Sequence, residues 1–180
     1  IDGAQDAKSE VLVETTEGDM MKEDAFNAAK AAFSLYGGFF KDVAEEVGLE
    51  KAVSLHAKQS AAFDALLVGM IKERLGDGEI DLGTFASVRS EALAALGMTT
   101  QIGEAPNLLT LGVQRCPLYE GLRMAGLEHA TIEEMCRQGT VLGYAEFNTA
   151  FPRLSGCLKF RPVADQPCVE EFALSPKPDS

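Results

Sequence analysis

Glycine placement over the first hundred residues constrains the fold of this chain more than any other feature. Gly48, the Gly76-Asp77-Gly78 turn and Gly97 divide the stretch into three segments, each repeating its apolar residues at helical spacing. From Lys22, the residues Ala25, Phe26, Ala29, Ala32, Phe33 and Tyr36 recur at three- and four-residue steps. They predict a helix to Val47 with a break or kink at Gly37-Gly38. The second segment predicts a helix from about Leu49 to Leu75, with Ala52, Val53, Leu55, His56, Phe63, Leu66, Leu67 and Met70 on a broad apolar face. The third, near Leu82 to Leu96, aligns Phe85, Val88, Ala92, Leu93 and Leu96. Residues 1–20 are polar and acidic and read as a flexible segment, where Val11-Leu12-Val13 makes at most a short strand.

Beyond Gly97 the texture changes. Met98 to Gly103 and Leu108 to Arg115 are strand-like and separated by the turn residues Glu104-Ala105-Pro106-Asn107, which predicts an antiparallel pair. Pro117 suits the first turn of a helix over 117–125, where its missing N–H costs little. Thr131-Ile132-Glu133-Glu134 is a capping box, predicting a helix that carries Cys136 and ends near Asn148. Arg153 to Pro162 and Cys168 to Leu174 predict neighbouring strands, and Ser175 to Ser180 a disordered tail. The expected class is α+β, with N-terminal helices followed by an antiparallel sheet of about four strands covered by helices. One domain is expected over residues 21–174.

Composition narrows the partners. Sixteen Lys and Arg stand against 28 Asp and Glu, a net charge of -12, and no two basic residues are adjacent. Phosphate backbones attract clustered base, so nucleic acid is not an expected partner. No apolar run approaches the roughly 18–20 residues of a membrane span, and no membrane partner is expected. Four cysteines in a helical chain with an ample core do not resemble a small disulfide framework, which favours a cytoplasmic setting. A homodimer is the default expectation for such a domain.

All four cysteines, Cys116, Cys136, Cys157 and Cys168, lie beyond residue 115. No C-x-x-C knuckle is present, so any thiol site must be assembled by the tertiary fold. Thiolate is a strong ligand for zinc-like metals, and the bland alternative is that the cysteines are simply core residues. Cys116 precedes a helix whose N-terminal dipole favours a thiolate. Cys168 follows the turn Ala164-Asp165-Gln166-Pro167 and can approach the same place from a strand. Asp165 and Glu170 are nearby acids, although the runs Glu45-Glu46, Glu133-Glu134 and Glu170-Glu171 are most simply solvated faces. Cys157 reads as a core strand residue. His56, in an apolar helix, reads as a satisfied structural histidine, and His129 is the better candidate for metal or proton chemistry. No G-x-S-x-G elbow or phosphate-binding loop occurs.

The segment Arg115-Cys116-Pro117-Leu118, a second cysteine twenty residues on, Phe147-Asn148 and the closing Asp165-x-x-Cys168 resemble the L-2-amino-thiazoline-4-carboxylic acid hydrolase-like family. The N-terminal "LYGG…VAEEVGLEKA" helix is compatible with it. The resemblance implies hydrolysis of a C–N bond in a small cyclic substrate. It carries Cys116, Cys136 and Cys168 over as the family's cysteines and Asp165 as the acid before the last one. The site implied is either a divalent metal such as zinc on Cys116, Cys136 and Cys168, or Cys116 attacking as a thiolate, with Asp165 handling protons. Two positions depart from the pattern: Gly139 stands where an acid often follows the middle cysteine, and Ala164 replaces the usual Gly. A looser likeness to the 4-vinyl reductase ligand-binding domains implies small-molecule sensing without turnover.

Overall fold

A computed structural model describes residues 17–176; the Val11-Leu12-Val13 segment lies outside them. Five helices and four strands follow in the order α1 (Glu17–Val47), α2 (Leu49–Leu75), α3 (Leu82–Ala94), β1 (Thr100–Ala105), β2 (Leu108–Val113), α4 (Pro117–Met124), α5 (His129–Ala150), β3 (Leu154–Lys159) and β4 (Cys168–Leu174). The fold is α+β. The strands form one antiparallel sheet in the order β1-β2-β4-β3, so the last strand in sequence occupies an interior position.

One face of the sheet is apolar because alternate residues turn inward. Leu109, Leu111 and Val113 of β2 lie opposite Phe172, Glu170 and Cys168 of β4. Phe172 meets Phe85 of α3 at 4.5 Å and Phe147 of α5 at 6.4 Å between ring centroids, and all three rings are fully buried. Removing one such ring from a core costs about 3–5 kcal/mol. A second apolar cluster, around Phe40, Val53, Tyr119, Leu122, Ile132, Met135 and Phe160, lies where α1, α2, α4 and α5 meet.

Several local expectations change in the structure. The first helix begins at Glu17, not Lys22, and runs unbroken through Gly37-Gly38. Gly37 faces α4, where a Cβ would stand 2.6 Å from the Ala125 Cβ, so the glycine serves close helix packing. That contact offsets the roughly 1 kcal/mol a helical glycine costs. On α2 only part of the expected apolar face is covered. Ala52, Val53, His56 and Leu67 are buried, whereas Leu55, Phe63, Leu66 and Met70 are exposed. The capping box is not used, since α5 starts at His129 with Glu128 as its N-cap and no side-chain cap bond. Cys157 is exposed, because it points to the face of β3 away from the helices. Ser175 is held to Arg153 by its amide, at 2.8 Å, and by its carbonyl, at 2.9 Å, and does not hang free.

The largest departure from expectation is Glu170, which is buried. Arg89 of α3 grips it in a two-pronged ion pair, Nε to Oε2 at 3.0 Å and Nη2 to Oε1 at 2.9 Å. The third guanidinium nitrogen reaches Asp64 of α2 at 2.8 Å. Gly143 of α5 packs so closely here that a Cβ would overlap the Asp64 carboxylate. Burial pushes the Asp64 carboxyl up, while Arg89 acts in the opposite sense. Replacing Arg89 leaves two buried carboxylates without a counter-charge, so Arg89→Met should lower stability by about 3–5 kcal/mol. Asp64→Asn leaves the Arg89–Glu170 pair intact and should cost much less; urea titrations of the two variants check the order.

His56 takes the structural role expected of it: it is buried and its Nδ1 lies 2.9 Å from the Tyr36 hydroxyl. Burial lowers its pKa from 6.5 to about 4. The folded protein therefore holds this ring neutral where the unfolded chain would protonate it, and stability is lost as pH falls from 6.5 toward 4. The slope from this one residue is at most about 1.4 kcal/mol per pH unit. His56→Gln should flatten that part of the stability profile, measured by chemical denaturation across the acid range.

Candidate functional site

Three of the four thiols meet on the second apolar cluster. Cys116 is the N-cap residue of α4, Cys136 lies in α5, and Cys168 opens β4 opposite Val113. All three are partly buried and pack against that cluster. They are near enough that charge on Cys116 or Cys168 acts on Cys136, and charge on Cys168 acts on Cys116. The fold thus brings together Cys116, Cys136 and Cys168, and leaves Cys157 apart.

Sequence reasoning passed over the residue that organises this place, Arg161. Only 2% of it is exposed. Its Nε donates to Cys168 Sγ at 3.4 Å, Nη1 to the Ala164 carbonyl at 3.0 Å, and Nη2 to the Val113 and Gln114 carbonyls at 3.4 Å each. The guanidinium lies 4.7 Å above the centre of the Tyr119 ring. No carboxylate pairs with it among the described residues. A buried cation without an anion is costly, and the Cys168 sulfur is the group in contact that can become one. The signal in the sequence was a lone basic residue between Phe160 and Pro162, just before the turn carrying Asp165.

Electrostatics rank the thiols. Burial pushes Cys116 up to about 11, against smaller favourable effects from the Tyr119 and Leu118 amides and from Arg161. The amides at the start of the helix therefore do too little to offset the burial of this thiol. Cys136 is pushed well up, first by burial and then by its two thiol neighbours. The expected attacking residue, Cys116, is therefore a poor thiolate in this setting. Of the three sulfurs, that of Cys168 is the one a guanidinium contacts.

Arg161 and Tyr119 also line a groove of about 770 Å³, together with Lys30, Arg115, Arg123 and Asp165. Four of the chain's sixteen basic residues face this one space. Lys30 and Arg115 are partly neutralised by Glu120, Arg115 also by Glu23, and Arg123 by Glu128. Asp165, in the turn before Cys168, is exposed on the groove wall. His129 stands behind the wall, its Nδ1 2.9 Å from the Tyr119 hydroxyl.

A divalent metal on the three thiols does not fit this arrangement. Among the described residues no group of three or more His, Cys, Asp or Glu side chains is disposed to hold a metal ion. The Arg161 cation also occupies the approach to Cys168, where it would repel one. No described helix is long and apolar enough to cross a membrane. No family model and no curated protein matches the chain.

Thiol reactivity tests the ranking. Alkylation of native protein at neutral pH should label exposed Cys157 first and Cys168 next, with Cys116 and Cys136 reacting only after denaturation. Arg161→Met should slow Cys168 without affecting Cys157, as read by peptide mass spectrometry over time.

Proposed function

We propose that this protein binds a small anionic heterocycle in the groove beside the cysteines and hydrolyses one of its C–N bonds, in the manner of the L-2-amino-thiazoline-4-carboxylic acid hydrolase-like family. The observation that carries the reading is Arg161, a buried guanidinium that no described carboxylate pairs with and that links Cys168 to the groove. An acidic chain with four cations in one groove favours an acid as ligand and leaves nucleic acid unsuited to it. Four free thiols agree with a reducing, cytoplasmic setting.

Chemically, Cys168 is the nucleophile of this reading. Its sulfur bonds to the electrophilic ring carbon as the C–N bond breaks, and the thiol proton passes through the Asp165 carboxylate to the leaving nitrogen. Water then attacks the same carbon, the C–S bond breaks, and the proton lost by water returns to the sulfur. Arg161 holds the Cys168 sulfur in place through its Nε–H throughout the cycle. Cys116 and Cys136, packed on the same apolar cluster as Cys168, stay protonated.

One observation favours a second reading, binding without turnover, as the likeness to the 4-vinyl reductase domains suggests. Two of the three thiols are pushed up by burial and so are poorly activated. A panel of cyclic amidines, thiazolines and lactams, with and without a carboxylate, separates the two. The hydrolase reading expects product by mass spectrometry from the acids, lost in Cys168→Ser and kept in Cys157→Ser. Saturable thermal stabilisation with no product supports the binding reading. Turnover undiminished in Cys168→Ser, or a stoichiometric metal released with activity by chelation, overturns the thiolate mechanism.

A further inference from the structure

From the outer face of α2 and α5, we infer that this protein pairs with a second copy of itself through those two helices. Four large apolar residues of α2, Leu55, Phe63, Leu66 and Met70, are between 44% and 68% exposed. On α5, Val141 is 65% exposed and Leu142 38%. Beside this ridge lies a groove of about 400 Å³ between the helices, floored by Ala61, Ala62, Ala65 and Ala145. Single exposed apolar residues are ordinary on a protein surface, but a ridge alongside a groove of small residues on the same two helices is a helix-packing surface.

Charge selects the occupant. Lys58 and Glu146 are the charged residues lining the groove, and among the described residues neither makes an ion pair. Ser60 packs at Gly139 and Asp64 at Gly143, so α2 and α5 run in the same direction. Lys58 therefore lies near one end of the groove and Glu146 near the other, about 13 Å apart at the rise of a helix. A two-fold axis across the groove reverses the direction of the second copy. It sets Lys58 of each copy level with Glu146 of the other, closing both charges at once, and lays each ridge into the facing groove. A basic or acidic partner would leave one of the two charges opposed. An anionic lipid surface would also face the repulsion of a chain carrying -12.

Sedimentation equilibrium of the full 180-residue chain tests this from micromolar to near-millimolar concentration. The expected species is a dimer, twice the 19.3 kDa chain mass. Leu66→Glu should give a monomer with unchanged circular dichroism, since that side chain is exposed. Lys58→Glu and Glu146→Lys should each weaken the dimer roughly tenfold. The double variant should restore it. A wild-type chain that stays monomeric overturns the inference, whether the face is then open or covered by residues 1–16 of the same chain. A dimer unaffected by Leu66→Glu, or a double variant no tighter than the single ones, overturns this face and its two-fold arrangement.

Discussion

The grip of Arg89 on Glu170 and Asp64 is the interaction on which the rest of the structure depends. It joins α3, β4 and α2 at one buried point, and it fixes the register of β4. Side chains on a strand alternate faces, so Glu170 can meet Arg89 only if Cys168, two residues earlier, also turns inward. A slip of one residue would send both to the outer face and place Val169 and Glu171 inside. The ion pair thereby positions a thiol that it never touches. Such buried networks add little net stability compared with apolar packing of the same volume, and are costly to break. Here the specificity of strand placement is the evident return.

A second arginine repeats the arrangement at the other end of the strand. Arg89 meets carboxylates, whereas Arg161 meets carbonyls, an aromatic face and a sulfur. Charge at the first is satisfied within the fold. At the second no described carboxylate pairs with it, and that charge lines a groove while touching one thiol, Cys168. The contrast is physical: a guanidinium matched by carboxylates builds structure, and an unmatched one invites an anion.

The sequence was most legible where local rules act alone. Glycines at 48, 76 and 97 set the helix boundaries because each adopts a positive φ that other residues avoid. Pro117 and the strand segments were readable for similar reasons. Gly37-Gly38 misled because a tertiary contact, the approach of α4, was the reason for Gly37. The unused Thr131 box shows the same, since packing carried the N-cap of α5 back by three residues, to Glu128. On α2 the apolar pattern was real, yet periodicity cannot tell a face covered by this chain from one left exposed. At the site, Cys116, Cys136, Cys168 and Asp165 were legible from their settings. Arg161 and the burial of Glu170 were not, because both depend on partners more than forty residues away in the chain.

The position of β4 has a consequence for how the chain is made. As the last of the described strands, lying between β2 and β3, it links β3 to the β1–β2 pair. During synthesis, β1 and β2 can pair as a hairpin, but β3 has no partner until residues 168–174 have left the ribosome. Arg89, Arg161, Cys116 and Cys136 must all wait for the same seven residues. Long-range closure of this kind is slow to form. Until then the nascent chain carries an apolar sheet face and two thiols that lack their partner strand. A chaperone that shields such a surface would act on this protein before its final strand, and not after.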